Sequence, residues 1–246
     1  MLSKAQNKYI RSLTLQKYRK EYNVFIAEGD KIAREWLNSA ADIQMILALQ
    51  GWADAHRDLI AKHNEAELII VEPHQLEAVT ALQTPNQVLL VVTMPAENKV
   101  LPANEWCIAL EGIQDPGNMG TIIRIADWFG IKHVICSDDC ADAYNPKVVQ
   151  AAMGGHLRVQ VHTGNLEQFV SSSSMPILAA TLDGESVYNL PGLDCGIIMI
   201  GNESKGISAS LMKLASHKVT IPRRGGAESL NAAVSAGILC ALLVRS

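Results

Sequence analysis

The chain has 246 residues and a formal net charge of −4, and 48% of its residues are hydrophobic but only 5% aromatic. This length predicts one or two domains, and the composition supplies an aliphatic core. The N-terminus lacks a basic segment followed by an apolar one, and no uncharged apolar stretch is long enough to span a bilayer. From these features we expect a soluble, cytoplasmic protein without a membrane partner.

The first 20 residues contain six cations and no acid, and they predict a basic helix over about 5–20. Such a local patch can bind nucleic-acid phosphates although the whole chain is acidic. A solvated helix face explains the same charges equally well.

Strands and helices alternate along the chain, which predicts two α/β domains, 1–94 and 106–246. Residues 95–105 contain two prolines and several charges and predict a linker between them. In the first domain we predict strands at 24–27, 43–49, 68–71 and 88–93, and helices at 30–39, 52–63 and 74–82, with Asp30 as an N-cap. In the second we predict strands near 107–112, 133–137, 157–161, 176–181, 196–201 and 218–221, and helices near 121–129, 146–153, 165–171, 208–215 and 229–244.

Five cysteines, an odd number, occur without a C-x-x-C pair, which predicts reduced thiols in a reducing compartment. The spacing of His133, Cys136 and Cys140 resembles a set of metal ligands. His133 and Cys136 fall in one predicted strand, however, where an offset of three residues points side chains to opposite faces. We therefore predict structural cysteines and no metal site.

Three loops of the second domain carry more polar residues than a simple turn needs. The first follows a short strand, contains the turn formers Asp115-Pro116-Gly117-Asn118, and leads into a helix that carries Arg124. Its glycines and the helix N-terminus suit an anionic ligand, but neither G-x-G-x-x-G nor G-x-x-x-x-G-K-[ST] occurs. Taken singly, Asn118 also fits a turn residue and Arg124 a surface cation.

The second polar loop contains Glu203 within the run IMIGNESKG, and the third contains Ser229 and Asn231 within TIPRRGGAESLN. As alternatives to a functional role, Glu203 could simply cap or solvate its loop, and Ser229 could be an N-cap for the last helix. Together with the first loop they indicate a functional site at the ends of parallel strands, where ligands bind in α/β folds.

The second domain resembles the catalytic domain of the SpoU-type RNA 2′-O-ribose methyltransferases of the SPOUT superfamily. The matching stretches are LEGIQDPGNMGTIIRIADWFG, IMIGNESKGIS and IPRRGGAESLNAAVSAG, in the order and at the spacing of that family. The first domain resembles the family's N-terminal substrate-binding module, an α/β fold similar to an RNA-binding ribosomal protein. The stretches that carry this likeness are YRKEYNVFIAEGDKIAREW and TPNQVLLVV.

The resemblance implies a trefoil-knot methyltransferase domain that binds S-adenosylmethionine and forms a homodimer. The reaction implied is methyl transfer to a ribose 2′-hydroxyl of structured RNA. The additional N-terminal domain with its basic helix favours ribosomal RNA as the substrate, with transfer RNA as the second candidate. The catalytic residues implied are Arg124, Asn118, Glu203, Ser229 and Asn231. The cofactor residues implied are Thr181, Leu182, Gly201, Ile221 and Leu230. The RNA-binding candidates are Lys17, Arg19, Lys20, Lys147, Arg223 and Arg224.

Two departures from the family pattern affect how this protein is expected to bind RNA. Asn145-Pro146-Lys147 is kept, but Gln150-Ala151-Ala152 replaces a segment that usually offers a cation and a hydroxyl. The run Arg223-Arg224-Gly225-Gly226 is more basic than usual and could supply replacement phosphate contacts.

Three alternative functions remain to be weighed against RNA 2′-O-methylation. A non-catalytic RNA-binding or ribosome-assembly protein is disfavoured because the five catalytic candidates are all present. A base methyltransferase is disfavoured by the Ser229-Leu230-Asn231 motif, and a Rossmann oxidoreductase by the missing dinucleotide fingerprint.

Overall fold

The computed structural model describes residues 2–82, 86–96 and 103–244. The chain divides into two compact units, Met1–Ala96 with Asp142–Leu157, and Glu97–Ala141 with Arg158–Ser246. Residues 97–102 of the predicted linker lie outside the described residues. The segment 142–157, which the sequence predicts within the second domain, packs with the first unit.

The first unit is built on a mixed four-stranded sheet in the order β1-β4-β2-β3, in which only the β2–β3 pair is parallel. Its strands are β1 (Val24–Glu28), β2 (Ile43–Ala48), β3 (Glu67–Ile70) and β4 (Val88–Thr93). Its helices are α1 (Lys4–Ser12), α2 (Gln16–Tyr22), α3 (Asp30–Leu37), α4 (Gln50–Ala55), α5 (Arg57–Ile60), α6 (Pro73–Glu77) and α8 (Pro146–Ala152). Phe25, Trp36, Trp52 and Val149 share one apolar core on this sheet.

Several predicted helices of the first unit are interrupted or shortened. The basic helix expected at 5–20 is two helices, because the hydroxyls of Ser12 and Thr14 bond to the carbonyl oxygens of Tyr9 and Arg11 where α1 ends. The helix expected at 52–63 breaks at 56, and that expected at 74–82 ends after its first turns.

The predicted N-cap at Asp30 is wrong. Gly29 is the capping residue, with a φ of 101° that favours glycine, and Asp30 is the first helical residue. The carboxylate of Asp30 accepts a hydrogen bond of 2.9 Å from Trp52 Nε1 instead.

The second unit is a six-stranded, wholly parallel sheet in the order β10-β8-β9-β5-β6-β7, which confirms the α/β prediction. Its strands are β5 (Trp106–Leu110), β6 (His133–Cys136), β7 (Gln160–Thr163), β8 (Ile177–Ser186), β9 (Gly196–Ile200) and β10 (His217–Thr220). Its helices are α7 (Pro116–Trp128), α9 (Leu166–Ser172), α10 (Ala209–Met212) and α11 (Ala232–Leu243). No helix of the described residues is long and apolar enough to cross a membrane.

Two helices of this unit begin where the sequence did not predict. The turn formers at 115–118 start α7 rather than precede it, because Asp115 caps the Asn118 amide at 2.8 Å and proline suits the first helical position. The last helix is capped by Asn231, so the interpretation of Ser229 as its N-cap is wrong.

One strand of this unit also begins later than predicted. The strand expected at 157–161 begins at Gln160, since Gly155–Leu157 forms a 3₁₀ turn.

Candidate active site

The candidate site lies where strand order reverses in the parallel sheet. β5 and β9 are neighbours, with Leu110 opposite Ile200, so the loops that follow these two strands emerge side by side. In open α/β sheets, ligands bind in the crevice at the carboxyl ends of the strands where the strand order reverses.

Asn118 joins three loops at this point. Its Nδ2 donates to Glu203 Oε1 at 2.8 Å, and its Oδ1 accepts from Asn231 Nδ2 at 2.8 Å. The Asn231 Oδ1 in turn accepts from the amides of Ala233 and Val234 at the start of α11. The structure therefore brings together three of the five catalytic candidates and fixes which way the Asn118 amide points.

Asn202 supports this arrangement and was missed from the sequence. Its Nδ2 donates to the Gly112 carbonyl oxygen at 2.7 Å, which ties the loop after β9 to the loop after β5. Its Oδ1 accepts from the amides of Ser204 and Lys205 at 2.9 and 3.1 Å. Asn202 therefore closes the turn that carries Glu203, and an asparagine bracketed by glycines is the sequence signal for such a turn.

Gly112 is held in the left-handed region, with a φ of 64°. Its amide donates to Ser137 Oγ at 2.9 Å, and the amide of Ile113 donates to Cys140 Sγ at 3.3 Å. Hydrogen bonds from Cys136, Ser137 and the Ile113 amide lower the pKa of Cys140 to about 7, against the opposing effect of burial.

Among the described residues, no three His, Cys, Asp or Glu side chains come together to hold a metal ion.

Arg124 and Ser229 stand outside the hydrogen-bonded group. Arg124 is exposed on α7, about 9 Å along the helix axis from Asn118. Within the described part of the chain, no hydrogen bond or ion pair engages its guanidinium. Ser229 is exposed and lines the neighbouring cleft.

A cleft of about 710 Å³ opens beside this group, within the usual size for a small-molecule site. It is formed by residues 180–183 in the middle of β8, at the carboxyl ends of β9 and β10, and by residues of α11. All five predicted cofactor residues line it: Thr181, Leu182, Gly201, Ile221 and Leu230.

The lining suits a ligand that has both an apolar face and a polar edge. Leu182 and Leu230 expose 77% and 47% of their surface there, although both are apolar. The Thr181 hydroxyl is buried and has no hydrogen-bond partner among the described residues. Gly201 permits a close approach of main chains, since a Cβ at this position would lie 2.3 Å from the Gly206 carbonyl carbon.

The RNA-binding candidates divide into exposed and buried residues. Lys17, Lys20 and Lys147 are exposed, as are the two arginines of the third loop, where Arg223 Nη1 donates to the Ala227 carbonyl oxygen at 3.1 Å.

Arg19 is only 1% exposed. It pairs with the Asp142 carboxylate and donates to the Leu13 carbonyl oxygen at 2.7 Å. Because these contacts bury its guanidinium, the prediction that Arg19 contacts RNA is wrong.

The fold and the convergent loops define a methyltransferase of the class that the three motifs resemble. Residues 105–241 match the SpoU rRNA Methylase family, and residues 4–90 match the MRM3-like substrate binding domain. The first match spans more than half of the chain, so this chain belongs to the SpoU rRNA methylase family.

Similar proteins cover nearly the whole chain. The 23S rRNA (guanosine(2553)-2′-O)-methyltransferase RlmP of Bacillus subtilis is 31% identical over 233 residues, which are 93% of this chain and 92% of that protein. A structure of a TrmH-family protein from Porphyromonas gingivalis is 35% identical, with a TM-score of 0.87 and 98% of each chain covered. An AdoMet-bound rRNA methyltransferase from Sinorhizobium meliloti is 26% identical, also with a TM-score of 0.87, and 98% of this chain and 95% of that one are covered.

Proposed function

We propose that this protein transfers a methyl group from S-adenosylmethionine to a ribose 2′-hydroxyl of ribosomal RNA. The observation that carries the proposal is the hydrogen-bonded group at Asn118, which adjoins a cleft suited to the cofactor. The relative from Bacillus subtilis is named for 2′-O-methylation of 23S rRNA, and the Sinorhizobium meliloti structure is described as AdoMet-bound. Because these relatives are named as methyltransferases and match over at least 93% of this chain, they favour catalysis over a purely assembly-related role.

The residues of the cleft fit S-adenosylmethionine, which supplies a methyl group on a positively charged sulfur when it is bound. In this proposal Leu182, Ile221 and Leu230 cover its apolar surface. The Thr181 hydroxyl, which is buried without a partner among the described residues, meets one of its polar groups. Gly201 holds the loop after β9 close enough to form the wall of the cleft.

Arg124 acts in this proposal through charge and orientation. An arginine side chain stays protonated in proteins, so it is a poor proton acceptor. Its five N–H donors can instead orient an RNA phosphate and stabilise negative charge that develops on the attacking 2′-oxygen. Asn118, Glu203, Ser229 and Asn231 position the ribose and the loops around it, and this pre-orientation is itself catalytic because it lowers the entropic cost of reaction.

The proposal includes a homodimer formed through the second unit. Trp128, the last residue of α7, exposes 84% of its surface, and Val234 on α11 exposes 50%. These two helices pack against each other, so their exposed apolar side chains can contribute to one association surface.

The proposal further includes the trefoil knot of this family and a cytoplasmic location. Convergence of the middle of β8 with the loops after β9 and β10 on one cleft supports the knot. The five free cysteines support a reducing compartment.

The test of the function is transfer of labelled methyl groups from S-adenosylmethionine to total RNA from a strain that lacks the gene. Nuclease digestion and mass spectrometry identify the labelled nucleoside. We expect a 2′-O-methylnucleoside with the native protein and with Arg57→Ala, which removes an exposed arginine of the first unit, but not with Arg124→Ala.

Two results would contradict the proposal. Label on a base would indicate a base methyltransferase. Binding of cofactor and RNA without transfer, including transfer to ribosomal precursors, would favour the assembly protein.

The exposed arginines of the third loop are proposed to contact RNA phosphates. Replacing both Arg223 and Arg224 by alanine should reduce the slope of log affinity against log salt by about 2, since each lost phosphate contact removes about 0.9. An unchanged slope would exclude these contacts.

A further inference from the structure

Three tyrosines of the first unit form a ring cluster on α1 and α2. Tyr9 and Tyr22 meet edge to face, with centroids 5.1 Å apart and planes at 67°. Tyr18 and Tyr22 are nearly parallel, with centroids 6.2 Å apart and planes at 13°. Tyr22 is nevertheless 43% exposed, so the cluster presents to solvent a ring whose orientation is fixed by its neighbours.

The two helices that carry this cluster also carry several exposed cations. The exposed cations are Lys4, Lys8, Arg11, Lys17 and Lys20. Lys17 Nζ lies 5.6 Å from the Tyr18 ring centroid, within the range of a cation–π interaction. Residues 2–23 contain one acid, Glu21, and the nearby Glu67 carboxylate accepts from Gln6 Nε2. The surface is therefore strongly positive.

We infer that the tyrosine cluster is a stacking platform for an unpaired base of RNA and that the exposed cations of the same two helices hold the adjoining phosphates. Exposed aromatic rings beside cations are the means by which proteins bind unpaired nucleotides, because every base offers a flat face to stack upon. A continuous duplex hides those faces and could use only the cations. The inference rests on the proposed function in that it takes RNA as the ligand, and it adds that the first unit binds unpaired nucleotides.

The test compares two RNA probes on the full chain by fluorescence anisotropy: an oligouridylate of about 12 nucleotides and an RNA duplex of the same length. Tyr22→Ala and Tyr22→Leu should each weaken oligouridylate binding about tenfold, because both remove the ring. Tyr22→Phe keeps the ring and should stay within about twofold of the native protein. None of the three should change duplex binding.

Tyr188→Ala provides the matched control. Tyr188 is also an exposed tyrosine, in the 3₁₀ turn Val187–Asn189 of the second unit, and its loss should affect neither probe. Circular dichroism of each variant verifies that the fold is intact. If Tyr22→Ala is unstable, Tyr22→Leu replaces it as the variant that lacks the aromatic ring.

Three outcomes would overturn the platform: equal weakening of both probes, equal weakening by Tyr22→Phe and Tyr22→Ala, or unchanged oligouridylate binding in Tyr22→Ala and Tyr22→Leu. Methyl transfer by the native protein is measured in parallel. If transfer is normal while Tyr22 proves dispensable for oligouridylate binding, only the platform is wrong. Absence of transfer contradicts the proposed function and leaves the binding comparison valid.

Discussion

Asn118 and Glu203 are 85 residues apart in the sequence, yet Asn118 Nδ2 donates to Glu203 Oε1 at 2.8 Å. The amide therefore presents its N–H to a carboxylate and its oxygen to Asn231. An aspartate of the same shape would lose the donor and set two carboxylates against each other.

Asn118→Asp should consequently lower kcat about a hundredfold, the effect of losing one hydrogen bond to a charged group. Asn118 is not among the described residues that line the cleft, so the Kd for S-adenosylmethionine should change less than about twofold. Steady-state kinetics and calorimetry test the two parts, with the exposed Asn189→Asp as control. An unaltered kcat would remove Asn118 from the catalytic group.

Asn202 should act through Glu203, and two substitutions separate its two contacts. Asn202→Asp keeps the acceptor for the Ser204 and Lys205 amides but loses the donor to Gly112, whereas Asn202→Ala loses both. We expect kcat to fall in Asn202→Asp and further in Asn202→Ala. In a Glu203→Gln background the effect of Asn202→Asp should shrink, because residues that act as a unit are not additive. Fully additive losses would indicate that Asn202 acts independently.

Gly201→Ala should weaken cofactor binding. The added Cβ would lie 2.4 Å from the Gly206 carbonyl oxygen and 2.5 Å from the Ile207 nitrogen, so the main chain of the cleft wall must shift. Overpacking of this kind costs about 1–3 kcal/mol, and we expect the Kd for S-adenosylmethionine to rise about 5- to 150-fold. Gly164→Ala, where a Cβ would meet nothing within 4 Å, is the control for calorimetry. Equal affinities of the two variants would contradict this account.

Arg19→Met should destabilise the protein although it leaves the site untouched. The substitution removes the ion pair with the Asp142 carboxylate, which is largely buried, and the hydrogen bond to the Leu13 carbonyl oxygen. Breaking a buried pair on one side costs about 3–5 kcal/mol, so urea unfolding should shift to lower concentration. Arg57→Met breaks an exposed pair with Asp54 and should leave the transition unchanged. If Arg19→Met and Arg57→Met both shifted the urea transition only slightly, the pair of Arg19 with Asp142 would contribute little to the free energy of unfolding.

His156 should make the protein sensitive to acid. Its Nε2 bonds to the Ala143 carbonyl oxygen, and its buried Nδ1 has no partner among the described residues. Burial lowers the pKa of His156 from 6.5 to about 4, although the Ala143 hydrogen bond and Asp142 oppose it. The unfolded chain therefore binds the proton more tightly, and stability present above about pH 6.5 is lost as the pH falls towards 4.

By pH 5 this residue should cost about 2 kcal/mol relative to pH 7. His156→Gln cannot take up the proton, so its free energy of unfolding should change less between these pH values. Urea titrations at both pH values test this difference. The same acid response in both proteins would assign it to other groups.

Local sequence pattern predicted the α/β fold because strands and helices depend on neighbouring residues, whereas the five residues that line the cleft were named by the family resemblance. Apolar runs located the strands, and a polar loop after each strand located the ligand edge. The positions of the helix ends were less predictable, because they depend on single side-chain hydrogen bonds. The bond from the Ser12 hydroxyl to the Tyr9 carbonyl oxygen, at the end of α1, is an example. Arg19 was misjudged because its partner Asp142 is 123 residues away, beyond any local charge pattern. Asn202 was overlooked because its bond to Gly112 depends on the adjacency of β5 and β9.

The membership of Asp142–Leu157 in the first unit limits how this protein can be divided or recombined. Val149 lies in the core of that unit, and the Tyr144 ring contacts Phe25 at 4.9 Å. A fragment that starts after the linker would therefore display these side chains without their partners and tend to aggregate. A chimera that takes its first unit from a relative must also take the relative's version of this segment, although the sequence places the segment after β6 of the second unit.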